Sequence, residues 1–207
     1  MRSRRIAWLT IIPHLVGLLP LVLLLWRYWQ GGLGPDPIGA AMRHTGRYAL
    51  TFLLLSLLPT VLRVTLGITD LPRVRRAVGL YAFLYAAFHL LIYVGLDYAF
   101  NWKLLIQALP GATYVLLGLA AFLLLVPLAI TSTDGWVRRL GRDWRRLHRL
   151  VYPAAALVIL HYAGVFKELR AGPVVAGILL ALLLIVRLPP VQQWMRARRK
   201  PQHAPRG

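Results

Sequence analysis

The chain has six histidines and no cysteine, and five of the histidines (His14, His44, His89, His148 and His161) lie within or beside long apolar runs. An imidazole in hydrocarbon is costly unless it is hydrogen-bonded or metal-bound, so each of the five is a candidate for chemistry. One pair matches in depth. His89 follows Arg76 by 13 positions and His161 follows Arg146 by 15. At about 1.5 Å per residue, both lie roughly 20 Å from the surface those arginines mark. Two imidazoles at one level on separate helices can take both axial positions of a haem iron.

The other histidines are less decided. His148 lies 13 positions before His161 on the same apolar run, near its basic edge, a rise of about 20 Å that suits a second haem stacked below the first. On an ideal helix those 13 steps put the two rings on different faces, and Pro153 between them is a place where the phase could change. The residue 13 before His89 is Arg76, so a haem at His148 lacks an obvious second imidazole. His14 is the weak candidate for that role, and an ordinary interfacial histidine is the competing reading of His148. His44, followed by Thr45, Gly46 and Arg47, reads as an interfacial helix start, with a quinone or partner contact as its functional alternative.

Small and aromatic residues flank the pair: Ala154, Leu157, Val158, Gly164 and Val165 about His161, and Ala82, Tyr85, Ala86 and Tyr93 about His89. They leave room for a flat macrocycle and equally favour close helix packing. No carboxylate joins them. Asp36, Asp70, Asp97, Asp134, Asp143 and Glu168 all fall in loops or at the ends of apolar runs, which argues against a proton- or sodium-coupled transporter. No residue looks like a nucleophile with a base and an orienting group.

The elements that must position these residues are membrane helices. Of 207 residues 58% are hydrophobic and only 15% charged, and apolar runs recur along the whole length. The pattern predicts an all-α, six-helix transmembrane bundle with spans near 7–29, 45–66, 78–98, 112–130, 147–166 and 173–188, and a basic tail over 189–207. The first run is too long for a cleaved signal peptide and reads as a retained anchor. Pro13, Pro20, Pro59, Pro127 and Pro153 fall inside spans and predict kinks. Thr133 and Asp134 predict the N-cap of a short basic surface helix over 135–146.

The formal charge of +19 comes from 25 Lys and Arg against 6 acidic residues. The basic residues cluster between apolar runs, the pattern of loops facing an anionic leaflet rather than of nucleic-acid binding. By position, 19 of the 25 fall on one side of the six-span arrangement, which puts both termini in the cytoplasm of a multi-pass protein.

The chain resembles the MsrQ family, formerly YedZ, the haem-containing membrane subunits of bacterial MsrPQ methionine sulfoxide reductase systems, within the ferric-reductase-like transmembrane superfamily. The resemblance runs through HLVGLLPL from His14, GGLGPDP from Gly31, HTGR from His44, GLYAFLYAAFHL around His89, AITSTDGWVRRLGRDWRRLHRLVY through His148, and the HY pair at His161. It implies a single ferric-reductase-like domain in the bacterial inner membrane, with b-type haem on His89, His161 and His148. It implies electron transfer from the quinone pool or a cytoplasmic flavin reductase to a periplasmic molybdopterin reductase, MsrP, where the sulfoxide itself is reduced. It also implies FMN, although the sequence shows no flavin motif. The superfamily's oxidases carry two histidines on each of two helices; this chain lacks one of the four. The residues after Leu188 are too few for an FAD/NAD domain, so the donor is expected to be separate. A stand-alone transmembrane metal reductase or quinol-oxidising cytochrome b, and a haem-free transporter or assembly factor, are the competing readings.

Overall fold

The computed structural model describes residues 2–68, 71–166 and 170–199, and among them it is helical with no strand. The first helix, α1 (Arg2–Trp29), is continuous through Pro13 and Pro20. The second starts earlier than apolarity alone predicts. Asp36 caps it by accepting the Gly39 N–H at 2.8 Å, Pro37 takes the first helical position, and α2 then runs unbroken over Pro37–Leu66. It ends at Gly67 in a left-handed conformation (φ 73°), whose N–H reaches the Arg63 carbonyl. Thirty residues make a helix of about 45 Å, longer than the ~30 Å of a hydrocarbon core.

Helix α3 (Pro72–Leu91) carries His89 in its last turn and widens into a π-helical segment over Ile92–Asp97. Two residues in left-handed backbone, Ala99 and Phe100, then turn the chain into the short α4 (Trp102–Ala108), which the hydropathy pattern does not reveal. Helix α5 covers Thr113–Ile130.

The basic segment after it differs from expectation. Thr133 does cap α6 (Asp134–Leu140), but the single helix expected over 135–146 breaks at Gly141 (φ 51°, ψ −113°) and restarts as α7 (Arg142–Leu147). A 3₁₀ turn, His148–Leu150, then leads into α8 (Val151–Gly164). Pro153 therefore sits in the first turn of α8, where proline breaks no helical bond, and not at a mid-helix kink. Helices α9 (Ala171–Ile185) and α10 (Pro189–Arg199) follow, with a 71° bend between Ala171–Ile185 and Pro189–Met195.

Among the described residues four helices are long and apolar enough to cross a membrane: Ile11–Trp29, Pro37–Leu66, Val74–Asp97 and Thr113–Ile130; the bent α9–α10 pair would make a fifth if counted as one span. Two pairings organise the bundle, α2 along α3 and α5 along α8, and the pairs meet where α3 touches α5. Their common core holds Phe52, Leu57, Tyr85, Leu125, Val151 and Ala154. The outer surface is apolar as well: Leu15, Leu19, Val22 and Leu25 on α1 and Leu179 and Leu182 on α9 are exposed. A continuous apolar exterior of this kind belongs in lipid, so the chain is an integral membrane protein.

Candidate functional site

His89 and His161 come together. Their ring centroids are 6.0 Å apart and the ring planes are nearly perpendicular, at 84°. Each ring is held by its Nδ1. His89 Nδ1 lies 3.0 Å from the Met42 carbonyl of α2, and His161 Nδ1 lies 2.7 Å from the Tyr114 carbonyl of α5. A carbonyl only accepts, so Nδ1 carries the proton in both rings and Nε2 keeps its lone pair. That is the tautomer a metal needs, with the opposite nitrogen already oriented by an outer partner. A metal–imidazole bond is about 2 Å, so two rings on opposite sides of one ion stand with centroids roughly 6 Å apart. The observed separation fits that arrangement.

The elements explain why these residues meet. α3 and α8 each pack along their own partner helix, and each histidine reaches across to that partner's backbone. On the α2 side the Met42 carbonyl also accepts from the fully buried Thr45 hydroxyl, 3.1 Å away, which fixes this acceptor locally.

His148 sits elsewhere, on the 3₁₀ turn before α8. Its Nδ1 is 3.1 Å from the Trp144 carbonyl and its ring stacks on the Trp144 indole, centroids 3.8 Å apart. The indole N–H in turn donates to the Thr131 carbonyl at 2.8 Å. His148 faces a cavity of about 410 Å³ whose lining, among the described residues, includes Arg63, Arg75 and Arg76 but no carboxylate. Arg76 is ion-paired with Asp134 at the start of α6.

The structure does not bring His14 to His148. His14 Nδ1 lies 3.1 Å from the Tyr81 hydroxyl, and the two rings meet edge to face. His44 Nε2 lies 2.9 Å from the Pro20 carbonyl and its ring packs on Tyr48, so it ties α2 to α1. Three participants escaped the sequence reading. The Met42 and Tyr114 carbonyls are backbone groups with no side-chain signature. Arg187 looks like one more basic residue of the tail, yet its guanidinium bonds the Tyr152 hydroxyl and the Leu57 carbonyl inside the bundle.

Comparison with known proteins shows the family. Residues 45–159 match the family of the ferric reductase like transmembrane component. The heme-binding subunit MsrQ of the protein-methionine-sulfoxide reductase of Rhodospirillum rubrum is 49% identical over 89% of both chains. The subunit of the same name from Xanthomonas euvesicatoria is 45% identical over 83% of this chain and 82% of its own. The chain belongs to the MsrQ family. In this MsrQ-family chain the matched region runs from the third turn of α2 into α8; it includes His89, Tyr114 and His148 and stops just short of Met42 on one side and His161 on the other.

Proposed function

We propose that this chain is the haem-binding membrane subunit of a methionine sulfoxide reductase system and relays electrons across the bacterial inner membrane. One observation carries the reading: two imidazoles on separate membrane helices, 6.0 Å apart, each with Nδ1 tied to a carbonyl and Nε2 left for iron. His89 and His161 hold a b-type haem, which when bound supplies the one-electron chemistry. The protein's own contribution is positional. Met42 and Tyr114 fix the ring tautomers, and the apolar helices around them keep water from the site. Sulfoxide reduction takes place on a periplasmic molybdopterin partner of the MsrP kind.

The cavity beside His148 is the donor side. Arg63 and Arg75, with Arg76 beside them paired to Asp134 and no carboxylate among the described lining residues, suit an anionic cofactor edge, either the propionates of a second haem ligated by His148 or an FMN phosphate. Electrons reach it from a quinol or a cytoplasmic flavin reductase. Helices α8 and α9, with 14 and 15 residues, complete six spans. They cross with local thinning of the bilayer, at a cost of a fraction of a kcal/mol per Å. The predominance of Lys and Arg on one side sets both termini in the cytoplasm.

The test is a reduced-minus-oxidised optical spectrum of the purified chain and of its His89→Ala, His161→Ala and His148→Ala variants. Each of the first two is expected to abolish one haem signal. Full haem content in both of those variants would refute the assignment.

A further inference from the structure

The acceptor of the His89 Nδ1 bond lies 47 residues upstream of the histidine, and so does the acceptor for His161. The interval that separates Met42 from Tyr114 also separates His89 from His161. It separates Gly46 from Gly118 as well, each one helical turn beyond its carbonyl. These glycines are where the rings lie. A Cβ added at Gly46 would sit 3.0 Å from His89 Nδ1 and 3.1 Å from Cε1; at Gly118 it would sit 2.8 Å from His161 Nδ1 and 3.0 Å from Cε1.

We infer that Gly46 and Gly118 are positioning residues for the two imidazoles, in a ligand-holding device that the chain carries twice. Each copy consists of a helix carbonyl, a glycine one turn later, and a histidine from the neighbouring helix. The missing side chain lets the imidazole edge lie against the helix backbone while Nδ1 reaches back to the carbonyl. A methyl group at the glycine would have to push the ring, which moves only about two torsions, off its rotamer and away from that carbonyl. The Nε2 direction would turn with it. The same register extends to the core, where Ala82 on α3 corresponds to Ala154 on α8, both buried. It extends to the basic end too, where Arg76 stands in the place of His148; the second copy of the device has kept an imidazole there and the first has a guanidinium.

This inference rests on the haem reading above, and its test separates the two. The full chain is purified as wild type, Gly46→Ala, Gly118→Ala and Gly177→Ala, the last as a control because a Cβ there meets nothing nearer than Ile159 Cγ2 at 3.6 Å. Three quantities are read: affinity of the haem-depleted protein for added haem, the low-spin ferric EPR spectrum, and thermal unfolding of the haem-depleted protein. Perpendicular axial imidazoles give a strongly anisotropic low-spin signal, which the 84° angle predicts for the wild type. Both device variants are expected to lose about tenfold in haem affinity, from an off-rotamer ring and a weakened hydrogen bond. Their EPR signal should move toward the ordinary rhombic form, while Gly177→Ala matches wild type and the haem-depleted unfolding is unchanged throughout. Should Gly118→Ala fail to accumulate as monodisperse protein, Gly46→Ala, the looser contact, carries the test. Wild-type affinity and EPR in both device variants would overturn the inference alone; a wild-type protein that takes up no haem would overturn the reading beneath it.

Discussion

Enlarging Ala154 or Ala82 to leucine tests whether the core sets the site. Ala154 is fully buried on α8 and Ala82 is 1% exposed on α3. Each lies seven residues before its histidine, two turns down the same helix face. A leucine at either position inserts an isobutyl group where helix backbones approach closely, an overpacking that costs about 1–3 kcal/mol. The strain is relieved by pushing α8 from α5, or α3 from α2, and either movement carries a histidine off its carbonyl. If it passes wholly into the haem-bound state, affinity falls roughly five- to 150-fold, since about 1.4 kcal/mol is a factor of ten. The assay is haem titration of Ala154→Leu and Ala82→Leu, with Leu160→Ala as control because Leu160 is 54% exposed. Undiminished affinity in both leucine variants would show that helix spacing does not govern where the rings stand.

Two further outcomes follow from single contacts. Trp144→Ala removes the indole stacked on His148 and should eliminate the His148-dependent part of the haem spectrum while sparing the part that depends on His89 and His161; Trp144→Phe, which keeps a stacked ring, should retain most of it. At the start of α2, the Gly39 N–H and then Arg43 hold the Asp36 carboxyl below its ordinary pKa. A depressed folded-state pKa contributes stability above the unfolded value and loses it as pH falls through the folded one, so the protection of the Gly39 and Ala40 amides, taken relative to their intrinsic exchange rates, should fall below about pH 4. Asp36→Ala should exchange quickly at every pH, and a wild type with no pH dependence there would remove the cap from the account.

Much of the scaffold was legible because lipid imposes one strong pattern. Helices α1, α3 and α5 follow directly from their apolar runs. The early start of α2 is written in Asp36 and Pro37, but those are capping signals, and a hydropathy window passes over them. The π-helical segment after His89 and the two short helices of the basic loop depend on local backbone register, which composition does not encode. At the site, matching depth was enough to pair His89 with His161. The phase argument against stacking His148 below His161 assumed an ideal α-helix; the 3₁₀ turn at His148–Leu150 invalidates that assumption, because a 3₁₀ residue advances about 120° rather than 100°. His14, the weak candidate for a ligand opposite His148, lies against the Tyr81 hydroxyl, a partner that nothing in its spacing identifies.

Backbone carbonyls recur as the partners of polar side chains throughout the bundle. Tyr85 donates to the Gly17 carbonyl at 2.8 Å, the Tyr81 hydroxyl reaches the His14 carbonyl at 3.4 Å, and His44 reaches that of Pro20. These three contacts fall every third residue along α1, a helix that exposes Leu15, Leu19, Val22 and Leu25. Apolar contact gives little net drive for association in a bilayer, so such hydrogen bonds are what fix α1 in place. The same economy governs the two central histidines. The described acidic residues lie in loops or at helix ends, and the groups that orient the two imidazoles are neutral carbonyls and not carboxylates. A neutral partner sets the tautomer without pushing negative charge onto the ring. Both imidazoles are therefore weaker donors to iron than histidines backed by a carboxylate, and an iron held between them is more easily reduced.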